Sequence, residues 1–148
     1  MTTLKQGDKA PDFCGINENG EKVCLSDFKG KKLILYFYPK DSSTGCTLEA
    51  QSLRDAYKDL TKRGYYVLGV SPNSEKSHTN FIEKQCLPFS LLADTDKSIA
   101  TAYGVWAEKK MYGKTYMGII RTTFIINDGI ITDVITKVDT KNHSVQIP

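Results

Sequence analysis

The apolar positions of this 148-residue chain fall into runs of two different periods. Lys32-Leu33-Ile34-Leu35-Tyr36-Phe37-Tyr38 is continuous, rich in β-formers and stopped by Pro39, the pattern of a central strand buried on both faces. From position 43 or 44 to 63 the period changes. Ala50, Leu53, Ala56, Tyr57 and Leu60 recur at three and four, Lys62 and Arg63 occupy a last turn, and Gly64 follows, which predicts one helix. Residues 65–71 form a second strand-like run, and Pro72-Asn73-Ser74 turns into a helix whose inner face carries His78, Phe81, Ile82 and Gln85. A short strand over 89–93, a short helix over 97–103 closed by Gly104, and a hairpin of 122–127 with 130–135 turning at Asp128-Gly129 complete the main pattern. Residues 13–16 and 22–25 around Asn19-Gly20 predict a small amino-terminal hairpin. The polar tail from Val138 onward reads as peripheral.

This alternation predicts an α/β fold with a mixed sheet in a single domain over 1–148. Forty per cent apolar and 25% charged residues, with only 5 Pro and 11 Gly, exclude a disordered or collagen-like chain. The net charge of +3 is not concentrated anywhere, so neither nucleic acid nor an anionic membrane is an expected partner. No apolar run approaches the roughly 18 residues of a membrane span. Residues 1–9 lack the apolar stretch of a secretory signal, so a reducing cytoplasm is the expected compartment. Cys14, Cys24, Cys46 and Cys86 form no Cys-x-x-Cys and no zinc spacing with His78 or His143, which disfavours a metal site and a thioredoxin-type dithiol. Asp94-Thr95-Asp96 opens like a calcium loop, but Ile99 and Val105 stand where glycine and glutamate are needed. His78 reads as a helix-face residue, and Lys109, Lys110 and Lys114 as a solvated loop.

The chemistry concentrates in Pro39-Lys40-Asp41-Ser42-Ser43-Thr44-Gly45-Cys46-Thr47, which joins the buried strand to a helix amino terminus. Backbone N–H groups in a first turn lack intrahelical acceptors and the macrodipole is positive there, so a thiolate at Cys46 is stabilised. Ser43 offers a hydroxyl that either caps the helix or donates to an oxygen beside the sulfur, and Pro39 offers a donor-free wall. Blander roles exist: Ser43 as a cap, Pro39 as a strand stop, Cys46 as a core filler. Arg121 weakens them, because an arginine placed before the strand-like Thr122-Thr123-Phe124-Ile125-Ile126 needs an anion or carboxylate to face. Glu49, one turn after Cys46, and Arg54 are candidates to anchor it.

Tyr36-Phe37-Tyr38-Pro39-Lys40-Asp41, Gly45-Cys46-Thr47-Leu48-Glu49-Ala50, Leu53-Arg54-Asp55, Leu87-Pro88-Phe89, Tyr103-Gly104-Val105-Trp106 and the segment from Arg121 to Ile126 together resemble a peroxiredoxin of the peroxiredoxin Q, or bacterioferritin-comigratory, subfamily. The family's Pro-x-x-x-Thr/Ser-x-x-Cys motif is met by Pro39, Ser43 and Cys46. The resemblance implies a thioredoxin-like fold with an amino-terminal hairpin and an antioxidant thiol peroxidase that uses no cofactor. By the same resemblance Cys46 is the peroxidatic cysteine, Ser43 and Gly45 help hold the peroxide, Pro39 shields it, Arg121 activates both partners, and Glu49 supports. The implied partners are hydrogen peroxide or an alkyl hydroperoxide, and thioredoxin or another thiol reductant. The expected state is a monomer, with a weak dimer as the variant.

The chain departs from the family pattern where a resolving cysteine belongs. Five residues after Cys46 stands Gln51, and the second family position, near 82, is Ile82. Cys86, one helical turn further, is the remaining resolving candidate, against a plain structural thiol. Cys14 and Cys24 read as apolar fillers or as partners in an intermolecular disulfide. The preferred expectation is therefore a one-cysteine cycle recycled by an outside thiol, the alternative being a slow-turnover redox sensor or holdase-like binding protein on the same fold.

Overall fold

The computed structural model describes residues 2–148, apart from the side chain of Met111. Its centre is a five-stranded mixed sheet ordered β5-β4-β3-β8-β9, built from β3 (Lys32–Phe37), β4 (Tyr65–Ser71), β5 (Ser90–Ala93), β8 (Thr122–Asn127) and β9 (Ile130–Ile135). β3 pairs in parallel with β4, and β4 with β5, while β8 runs antiparallel to both β3 and β9. The continuous apolar run of β3 has its reason in this order: it is the central strand, covered on both faces. Leu33, Leu35 and Phe37 point into one core layer with Phe124 and Tyr103, and Ile34, Tyr36 and Tyr38 into the other with Cys46, Leu53 and Phe81. Gly69 on β4 makes this packing feasible, since a Cβ there would lie 2.9 Å from the Tyr36 ring.

The layer that carries the site holds α1 (Thr44–Asp55), α2 (Tyr57–Lys62) and α3 (Glu75–Gln85). The one helix predicted over 43–63 is two, because Ala56 leaves helical torsions (φ −95°, ψ 1°) and turns α2 so that Leu60 still reaches the core. The short α4 (Ser98–Ala102) starts where predicted, and Asp94 explains its start: its carboxylate accepts the N–H groups of Ile99 and Ala100. The calcium-like segment is thus a helix cap.

Three further expectations are corrected. The lysine-rich stretch read as a loop is a two-stranded hairpin, β6 (Trp106–Met111) with β7 (Lys114–Ile119), whose outward face is so polar that period-two alternation is hidden. The tail is not peripheral: a 3-10 segment, Thr140–Gln146, packs along α1 and buries His143, and Ile147 after it is also buried. Asp139 starts that segment by accepting the Asn142 N–H. Finally, Cys14 and Cys24 stand directly opposite each other in the hairpin of β1 (Cys14–Ile16) and β2 (Lys22–Cys24), with Cα atoms 4.0 Å apart, and form an intramolecular disulfide. Neither filler nor intermolecular partner describes them. Antiparallel register alone makes them neighbours, and ten residues of spacing did not reveal it. No helix among the described residues is long and apolar enough to cross a membrane, and no His/Cys/Asp/Glu cluster there is arranged to hold a metal.

Candidate active site

β3 ends at Phe37, and the chain passes through Tyr38, Pro39 and Asp41 before α1 begins. Asp41 fastens this loop from beneath. It is buried, accepts hydrogen bonds from Tyr38 Oη (2.6 Å) and Ser77 Oγ (2.7 Å), and pairs with His78 Nδ1 at 2.7 Å. His78 Nε2 lies 2.9 Å from the Leu92 carbonyl, so both ring nitrogens face acceptors. Burial pushes the Asp41 carboxyl up, but the bonds from His78, Tyr38 and Ser77 outweigh it and hold the group below the usual carboxylate range. The lone helix-face histidine of the sequence reading is thus a buried anchor between α3 and the loop.

Ser43 is the N-cap residue of α1, with extended torsions, but its hydroxyl donates to the Lys40 carbonyl (2.9 Å) and caps nothing. The first bond of the helix runs from Thr47 N–H to Ser43 C=O, which leaves the N–H groups of Thr44, Gly45 and Cys46 without intrahelical acceptors. Cys46 Sγ is buried in that first turn. Pro39 is half-buried at the exit of β3.

Arg121 follows β7 and precedes β8, and it projects over the start of α1. Its Nη2 donates to Cys46 Sγ at 3.3 Å and its Nη1 to Glu49 Oε1 at 2.7 Å. The space it fills is left by Gly45. Sequence position names Cys46, Glu49 and Arg121 separately and the family resemblance adds Gly45, and the structure brings the four together. Arg54 does not join them; it bonds Asp55 and the Gln85 carbonyl. Glu49 is fully buried, and that burial pushes its carboxyl up to about 7 against the pull of Arg121. Burial lowers the Arg121 pKa, while the Cys46 sulfur and Glu49 raise it more. The Tyr36 hydroxyl is buried without a partner, and burial, with Glu49 and Cys46 nearby, drives its pKa far up.

The alternative thiol, Cys86, ends α3 in the left-handed region (φ 54°) and is exposed, with its sulfur 3.9 Å from the Glu83 carbonyl. Gln51 spans from α1 to Gln85 at 2.9 Å. Sequence reasoning missed the Asp41–His78 pair and the buried His143; the one available signal for the latter was Asp139, a helix-starting residue in a tail otherwise read as polar.

A buried thiol in the first turn of a helix, bonded by a guanidinium on a thioredoxin-like sheet, is an arrangement suited to thiolate chemistry. Comparison with known proteins shows the family: residues 6–134 match the AhpC/TSA family, and the chain belongs to that family of peroxiredoxins, closely matching the peroxiredoxin Q/Bcp subfamily. It is 46% identical over 146 residues to a putative peroxiredoxin bcp of Coxiella burnetii, covering 98% of this chain and 97% of that one. It is 46% identical over 142 residues to peroxiredoxin Bcp of Bacillus subtilis, covering 95% and 90%. Among solved structures, Xanthomonas campestris peroxiredoxin Q superposes with a TM-score of 0.88 at 35% identity, covering 99% of this chain and 93% of that one. A Xylella fastidiosa PrxQ mutant superposes with a TM-score of 0.92 at 30% identity, covering 99% and 94%. The protein is a thiol peroxidase that takes a peroxide as substrate and a thiol as reductant.

Proposed function

We propose that Cys46 is the peroxidatic cysteine of a one-cysteine cycle, acting as a thiolate with Arg121, Ser43, Gly45 and Pro39 around it. The observation that carries this reading is the 3.3 Å bond from Arg121 Nη2 to the buried Sγ. Sulfur attacks one oxygen of the hydroperoxide, the O–O bond breaks, and its electron pair leaves on the second oxygen, which takes a proton to become water or an alcohol. Cys46 becomes a sulfenic acid. Negative charge develops on the departing oxygen, and the free first-turn N–H groups and the guanidinium are donors already in place for it. The Ser43 hydroxyl, whose hydrogen goes to the Lys40 carbonyl, keeps its lone pairs to accept the peroxide O–H. Pro39 adds a wall without a donor.

Recycling needs two outside thiol groups. The first attacks the sulfenic sulfur and releases water, forming a mixed disulfide; the second displaces Cys46 and leaves the reductant as a disulfide. Thioredoxin, or another small thiol, is the proposed reductant, and a monomer the proposed state. Gln51 and Ile82 at the two resolving positions support a cycle without an internal partner.

Intact mass analysis after one equivalent of hydrogen peroxide, with peptide mapping, tests it. One added oxygen on Cys46 is expected. A loss of two hydrogens with a Cys46–Cys86 link overturns the one-cysteine cycle, and undiminished turnover in Cys46→Ser overturns the assignment of the nucleophile.

A further inference from the structure

Behind Arg121, on the side away from Cys46, lies a buried pair that the cycle above leaves unused. Glu49 gives Oε1 to Arg121, but Oε2 has no hydrogen bond and stands 3.4 Å from His143 Nε2. Neither side chain reaches solvent. The ring is oriented from its other edge, where Nδ1 lies 2.8 Å from Gln146 Oε1. That oxygen already accepts the Asp139 backbone N–H, and the Gln146 amide nitrogen donates to the Lys137 carbonyl. An oxygen that accepts a backbone N–H identifies the amide orientation, so Nδ1 carries hydrogen and Nε2 presents its lone pair. Thr123 Oγ1 lies 2.8 Å from the same nitrogen. An ionised Glu49 would then set electron pairs against each other in a dry space, and a single proton between Oε2 and Nε2 removes the conflict.

We propose that His143 is a positioning residue for peroxide reduction, sharing one proton with Glu49 in a buried pair that governs how much of the Arg121 charge is left for Cys46 and the peroxide. The proposal rests on the reading of Cys46 and Arg121 given above. With the proton on Glu49, its carbonyl oxygen still accepts the Arg121 N–H, but no anion offsets the guanidinium from behind. With the proton lost as pH rises, the carboxylate offsets that charge, and the peroxide site weakens. Burial is the force that keeps the proton on the acid near neutrality, since it raises the Glu49 carboxyl to about 7 and lowers the His143 imidazolium. The other ionisable groups facing the pair are Arg121 itself, Cys46 one turn back on α1, Tyr36 from β3, Lys109 from β6 through its repulsion by Arg121, and Asp139 beside His143.

The test is the pH profile of Cys46 oxidation by hydrogen peroxide, followed by quenched-flow alkylation across the neutral range. The profile is expected to contain a step near neutrality that Glu49→Gln abolishes. His143→Gln, whose amide N–H can donate to Oε2 and so favours the carboxylate, moves that step down by about one unit. His143→Leu, which removes the lone pair that opposes the carboxylate, also moves it down, by less. Should the leucine variant fail to fold, Gln146→Leu serves in its place, because releasing Nδ1 redistributes the same proton and moves the step. Nitrogen chemical shifts of the His143 ring should show hydrogen on Nδ1 near neutral pH. Folded His143 variants that lose stability but keep the wild-type profile assign His143 a structural role and overturn the proposal while leaving the peroxidatic assignment intact. A wild-type Cys46 that peroxide does not oxidise would instead overturn the reading on which the proposal rests.

Discussion

Gly45 and Arg121 compete for one space: a Cβ on Gly45 would lie 3.2 Å from Arg121 Nη2 and 3.8 Å from Cζ. The guanidinium cannot retreat freely, because Nη1 is tied to Glu49. Gly45→Ala should therefore push Nη2 away from Cys46 and slow its oxidation by about tenfold, a fraction of the cost of deleting a preorganised donor. Stability should hold or rise, since alanine is favoured over glycine in a helix by up to about 1 kcal/mol. Stopped-flow peroxide reduction beside a thermal melt separates the two effects.

Asp41 predicts the acid limb of stability. Its carboxyl is held below the 3.8 of an unfolded aspartate, so the folded state binds fewer protons there than the unfolded one. The stability it contributes is present above that unfolded value and is lost as pH falls through the lower folded one. Asp41→Asn should cost about 3 kcal/mol at pH 7 by leaving His78 without its partner carboxylate. Urea unfolding should show the gap from wild type closing in strong acid.

Cys86 sits where a helix favours glycine. Its φ of 54° is left-handed, and Leu87 N–H closes back on the Ile82 carbonyl. Cys86→Gly should stabilise the fold by about 1 kcal/mol. Peroxide turnover with an external thiol should be unchanged in a one-cysteine cycle, whereas accumulation of over-oxidised Cys46 or a stalled cycle would mark Cys86 as the resolving residue.

The disulfide of the amino-terminal hairpin closes a loop of 10 residues in sequence. Loop-closure entropy of that size gives about 2–3 kcal/mol. Cys14→Ser with Cys24→Ser should lower the melting temperature accordingly and leave the rate of Cys46 oxidation unchanged, since the hairpin pairs toward β5 and not α1. Melts with and without reductant, which should differ only in the wild type, check the same point.

Much of this was legible from residue order because its causes are local. The bounds of β4, β8 and β9 follow from apolar runs punctuated by Pro72 and Asp128-Gly129, and the placement of Cys46 in a first turn follows from a strand, a proline and an amphipathic repeat in succession. The family motif at Pro39, Ser43 and Cys46 is local in the same sense. The β6–β7 hairpin was not legible, because strands exposed to water carry no alternation to read. Tertiary structure alone decided what meets across long separations. Arg121 lands on Cys46 because β8 pairs with β3, 75 residues apart at the bond. His143 is buried because the tail folds back along α1, and Cys14 meets Cys24 because the hairpin chose that register. Periodicity reports which face of an element seeks the core; it carries no information about which distant side chain will be waiting there.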